Sequence, residues 1–208
     1  MLTAWIHGFL LSFSLILPLG AQNVFIFSQG ARSSRVSGAV PAVLAASLSD
    51  TLLIILAISG VSLLVLTFPW LMTLMFVIGI LFLTYIGWTI WSDSSTQKND
   101  AGMLLSSKQQ VRFALSVSLL NPHAILDTVG VIGTNALQYS GAEKWIFASA
   151  CISVSWIWFF SLAYVGYLTG RVSTGNRYIF WVNKLSALMI WGIALYLVWR
   201  LIFSSLLR

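Results

Sequence analysis

The chain of 208 residues is 59% hydrophobic and 8% charged, with a mean hydropathy of +0.92 and a formal net charge of +6. Soluble domains carry about a quarter charged residues, so this composition excludes a water-facing globular surface and makes lipid the solvent. A single cysteine, Cys151, leaves no disulfide framework and no CxxC redox pair, and no motif calls for a cofactor.

A bilayer core of about 30 Å takes about 20 apolar residues per helix. On that measure the chain divides into six predicted spans, roughly 4–28, 39–66, 70–91, 112–138, 145–168 and 179–203. A β-barrel would instead show alternating segments of about ten residues. The first span has no basic n-region and no small-residue cleavage site, so it is read as retained. It contains FLLSFSLILP at 9–18, and FALSVSLLNP at 113–122 repeats that pattern with an offset of 104, half of 208. The expectation is one transmembrane domain, 1–208, built as repeat one (1–91), a polar linker (92–111) and repeat two (112–208).

Both copies close on a proline, Pro18 and Pro122. Proline inside a helix removes a donor and clashes with the preceding turn, and lipid has no water to repair the loss. In LPLGAQN, Pro18 and Gly20 permit a break; in LLNPHAILD, Asn121 suits an N-cap and Pro122 the first helical position. Spans one and four are therefore expected to break near the midplane, each starting a half-helix whose N–H groups and partial positive charge suit a carboxylate. Two simple kinks are the plainer alternative; the matched placement favours a site.

Span two carries Asp50 and span four Asp127, whereas Asp93, Asp100 and Glu143 fall in polar loops. An Asp at a membrane-helix centre costs roughly 2.5–3.5 kcal/mol on insertion scales. No Lys or Arg is expected at comparable depth, since Lys184 and Arg200 lie near span ends and can snorkel. The missing cation is then a substrate or a proton. The alternative is a protonated Asp held by Ser47, Ser49 or Thr128. His123 and Asp127 lie one helical turn apart with Asn121 on the same edge, and Gln22 and Asn23 follow the first break, Asn23 matching Asp127 under the offset. His123 suits proton exchange near neutral pH; His7, near the outer interface, is given no role. Two Asp and one His on dispersed spans do not make a metal site, and there is no GxxxxGK[ST] phosphate loop. A membrane-embedded hydrolase pairing Asp50 with Asp127 stays open as a different class, without a supporting nucleophile motif.

Loops after spans one, three and five hold Arg32 and Arg35, then Lys98, Lys108 and Arg112, then Arg171, Arg177 and Lys184, eight of the eleven Lys and Arg. Positive charge marks the cytoplasmic side, so both termini are expected outside. The net charge then acts as a membrane address and not as a nucleic-acid footprint. Three spans per half make the repeats inverted, an architecture of secondary transporters with substrate at the midplane. The WIWFF run at 156–160 reads as interface belt and packing, and Gly79, Gly87 and Gly192 as close-packing positions for neighbouring helices or a homodimer.

LPLGAQNVFIFSQGARSSR, then SLSD, then LLNPHAILDTVGVIG resemble the L-lysine exporter (LysE) family, in its arginine and lysine exporter branch, over essentially the whole chain. The specific pieces are Pro18, Gly20, Gln22 and Asn23, and Asn121, Pro122 and His123 followed by Asp127. Ala21 stands where many relatives carry Pro, a departure expected to soften the first break. The resemblance implies a small multi-pass carrier of the bacterial inner membrane, not an enzyme, exporting basic amino acids in exchange for protons; neutral amino-acid exporters share the general fold. Arginine or lysine would set its carboxylate on the half-helix N-termini and its cation on Asp127 and Asp50. A carboxylate that holds either the cation or a proton would couple the two.

Overall fold

The computed structural model describes residues 1–18, 20–61, 69–93, 105–120, 125–172, 184, 187–188, 190–192, 194–199 and 201–202. Every regular element among them is a helix.

Helix α1 (Leu2–Ile16) and helix α2 (Ala21–Arg32) meet at 78° across a short break. Pro18 has no N–H to extend α1, and Gly20 turns extended (φ −82, ψ 175), so the helix restarts at Ala21. The break forms with Ala21, and not a proline, as the first residue of α2. A 3-10 turn (Val36–Ala39) leads into α3 (Val40–Leu56), with Pro41 in the first turn, where its missing N–H is no loss. A π turn (Ala57–Val61) follows, and Gly60 adopts φ 103 there. Next come α4 (Pro69–Asp93) and α5 (Ser107–Leu120). A π-helical stretch (Leu126–Ile132) runs into α6 (Gly133–Ala136). Helix α7 (Gly141–Val172) is the longest, and α8 covers Ile190–Trp199.

Val36–Gly60 and Gly141–Arg171 are each long and apolar enough to cross a membrane, and the bent α1–α2 pair makes a third if taken as one span. The six-span division therefore exceeds what the described residues display. Residues 62–68, 121–124 and 173–183, with parts of the sixth predicted span, lie outside them. Helix α5 also begins inside the stretch read as linker. The reason is a capping box: the Gln109 side chain accepts from Ser106 N–H at 3.0 Å and from the Ser106 hydroxyl at 2.9 Å, while Gln109 N–H reaches back to Ser106 Oγ.

Helix α7 is the spine. The Met1 amine pairs with Glu143 at 2.6 Å, the Ser12 hydroxyl donates to the Cys151 carbonyl at 3.3 Å, and Gly30 lies on Ala163. Thus α1 and then α2 run parallel to α7. Helix α3 runs against it: Ala42 and Val43 share a core with Phe159 and Ala163, whereas Ile54 and Ile58 share one with Phe147 and Ala148. Leu44, Leu48, Leu52 and Ile55 of α3 face outward, while Ser47 and Ser49 are buried. That inside-out polarity suits a helix whose surroundings are lipid. Gly87 packs within the chain against Trp191, while Gly192 meets nothing within 4 Å.

A Cβ on Gly30 would strike the Ala163 backbone, and one on Gly166 the Phe27 carbonyl. Gly30→Ala is therefore expected to lower stability by about 1–3 kcal/mol through overpacking. Gly20→Ala, with φ −82 and nothing within 4 Å, is expected to stay within about 0.5 kcal/mol. Thermal unfolding in detergent, followed by tryptophan fluorescence, checks the contrast; equal melting temperatures would contradict it.

Candidate functional site

The first turn of α2 is buried: Ala21, Gln22, Asn23 and Val24 all face protein. Gly20 supplies no side-chain cap, so the first N–H groups of α2 receive no side-chain acceptor from the N-cap position. Asn23 repairs the other side of the break. Its Nδ2 donates to the Ile16 carbonyl at 2.8 Å, an acceptor at the end of α1 that the missing helical turn would otherwise leave open, and to the Pro18 carbonyl at 2.9 Å, which also accepts from Gly20 N–H at 2.8 Å.

Gln22 points the other way, into the helix packing. Its Oε1 accepts from the Ser118 hydroxyl of α5 at 2.9 Å, and its Nε2, lying against Asp50, is buried with no hydrogen-bond partner. This orientation turns the amide donors toward the carboxylate and the amide oxygen away from it.

Asp50 is half-buried on α3. The Ser155 hydroxyl of α7 donates to its Oδ2 at 3.0 Å, and on the next residue the Trp156 indole N–H donates to Thr51 Oγ1 at 3.1 Å. Two consecutive bonds thus clamp α3 to α7 at the carboxylate. The hydroxyl that reaches Asp50 is Ser155, not Ser47 or Ser49: Ser49 donates to its own helix at Ala45 O, and Ser47 Oγ is buried without a partner. Among the described residues no Lys or Arg pairs with Asp50. Nothing in the sequence singles out Ser155 from Ser149, Ser153 and Ser161 on the same helix.

Asp127 lies in the π-helical stretch Leu126–Ile132, where i→i+5 bonding replaces the α-helical pattern. Its flanking residues Ile125 and Val129 share a core cluster with Leu53 of α3 and Ala57 of the π turn after it, so the Asp127 backbone packs beside the turn that follows Asp50. Asn121, Pro122 and His123, with the second break they were read to form, lie outside the described residues. His7 Nδ1 sits 2.8 Å from the Tyr139 hydroxyl, with its ring against Phe147, at the far end of α1 from the break. No cluster of three His, Cys, Asp or Glu that could hold a metal occurs among the described residues.

The structure therefore brings Gln22, Asp50, Ser118 and Ser155 together from four helices. A carboxylate, a free amide donor and helix N–H groups in one buried place can hold a zwitterion carrying an additional cation.

Residues 13–200 match the family model described as LysE type translocator. A Bacillus subtilis (strain 168) protein named for amino-acid transport, YisU, is 53% identical over 195 residues, 94% of this chain and 89% of its own length. The arginine exporter protein ArgO of Serratia proteamaculans (strain 568) is 37% identical over 96% of this chain and 98% of its own, and that of Salmonella typhimurium (strain LT2) 35% over 93% and 92%. No solved structure matches the chain.

Removing the Asn23 amide should leave the Ile16 carbonyl unpaired, while the Pro18 carbonyl keeps the Gly20 N–H. Asn23→Leu is expected to cost about 1–3 kcal/mol for the one acceptor left without a partner, read as a lower melting temperature in detergent. An unchanged melting temperature would show that other donors serve the break.

Proposed function

The chain is a member of the LysE type translocator family, and from that premise we propose that it exports L-arginine or L-lysine from the cytoplasm across the inner membrane in exchange for protons. The family and the named relatives are transporters, which leaves the paired-Asp hydrolase without support. The reading takes the chain as a multi-pass protein of six spans in two inverted three-helix repeats, with spans one and four broken and both termini outside.

The observation that carries it is the Asp50 carboxylate, held by Ser155 and faced by Gln22, with no Lys or Arg beside it among the described residues. A guanidinium or ammonium group supplies the missing charge. The substrate carboxylate then takes Gln22 Nε2 and the first-turn N–H groups of α2. Asp127 and His123, with Asn121 and Pro122 at the second break, provide the proton-handling half. Moving one positive charge out of a cell that is negative inside costs about 2.3 kcal/mol per 100 mV, so export needs coupling. A carboxylate that binds a cation or a proton, in turn, supplies it. A wider substrate range has one observation in its favour: the relative that is 53% identical is named for amino-acid transport, with no amino acid specified.

Counterflow of labelled arginine into arginine-loaded proteoliposomes tests the proposal. The native protein should accumulate label, and excess lysine should block it. Asp50→Asn and Asp127→Asn should each slow exchange by about tenfold or more, the consequence of roughly 1.4 kcal/mol. Block by alanine, leucine or threonine but not lysine would replace the basic substrate with a neutral one. The inverted arrangement places 92–111 in the cytoplasm; an active periplasmic reporter fused there would overturn it.

A further inference from the structure

Helices α2 and α5 meet along an antiparallel seam with three levels. At the first, Gln22 accepts from Ser118. One turn along, the Phe25 and Phe113 rings meet tilted by 32° with centroids 4.1 Å apart. One turn further along each helix come Gln29 of α2 and Gln110 of α5, each 2% exposed, with the Gln110 Nε2 donating to the Gly38 and Leu105 carbonyls at 3.0 and 2.9 Å. Positions 22, 25 and 29 fall on one face of α2, and 118, 113 and 110 answer them in reverse order on α5.

The hydrogen bonding of this seam is incomplete. Gln22 Nε2, Gln29 Oε1 and Gln110 Oε1 are all buried without a partner, and all three lie on it. Buried polar atoms left unpaired cost free energy that a ligand or water would recover. The opposite face of α2 is closed by backbone contact with α7 through Gly30 and Gly166, so any separation falls on the α5 side. The Gln29–Gln110 end is also the basic end: Arg32 and Arg35 follow α2, and Lys108 and Arg112 flank Gln110. The rings therefore stand between that end and the buried pair of Gln22 and Asp50.

We infer that the α2–α5 seam is the cytoplasmic leg of the substrate path, with Phe25 and Phe113 as its gate and the Gln29 and Gln110 amides as the polar lining that meets the charged ends of an amino acid when the rings part. This rests on the transport reading above. It assigns the pairing of those amide atoms, by cargo or water, to an open state, and the contact between the rings to the closed state.

The test is thiol accessibility in a Cys151→Ser background. Ser118→Cys places a thiol on the inner side of the rings, and inside-out vesicles present the basic face to a membrane-impermeant maleimide. With both rings intact, labelling should be slow. Phe25→Ala should speed it about tenfold by raising the open population from a minor fraction, and Phe113→Leu, which keeps most of the packing volume, should act in the same direction. Fast labelling with both rings intact, or no change in Phe113→Leu with native melting behaviour, would overturn the gate. Because this readout needs no cargo, it stands or falls separately from arginine counterflow.

Discussion

In lipid, two helices gain little by hiding apolar side chains from each other, since acyl chains solvate leucine as well as leucine does. What holds the bent pair on α7 is backbone contact, with Gly8 against the Phe147 carbonyl, Gly30 against Ala163 and Gly166 against Phe27. That constraint fixes where the break falls. With α1 seated on the first part of α7 and α2 on the last, the interruption between them must lie opposite the middle of α7, where Ser155 and Trp156 emerge. The same stretch receives α3, so Asp50 and the start of α2 arrive at one depth because a single helix positions both.

The chemistry of the site follows from that placement. A half-buried carboxylate given one hydroxyl and one facing amide has room for a further partner. Gln22 has an unpaired donor beside it, and the N-terminal turn of α2 adds oriented N–H groups. Each of these groups is incomplete alone. Together they are complementary to an ion of mixed charge.

Several of these features were legible in the sequence. Pro18 and Gly20 announced the break because proline and glycine act on the backbone directly, and Asp50 stood out because its cost in a membrane helix is large. The partners were harder to read. Ser155, Ser118 and Trp156 find Asp50, Gln22 and Thr51 across about a hundred residues of chain, and tertiary pairing of that kind leaves no periodic trace. The π-helical stretch at Leu126–Ile132 likewise escaped a reading based on a 3.6-residue period. The early start of α5 was written in the sequence as Ser106 and Gln109, but a polar run disguised its capping box as linker.

The Asn23 brace has a consequence for biogenesis. Both carbonyls it satisfies lie within seven residues upstream of it, so the bend is locally self-sufficient. It can form as soon as the nascent chain has emerged past α2, while residues 141–172 are still unsynthesised. A membrane helix interrupted at its centre would otherwise expose bare carbonyls to the translocon and to lipid until its packing partner arrived. Here the first segment can enter the bilayer already bent, and α7 need only dock onto a shape that waits for it.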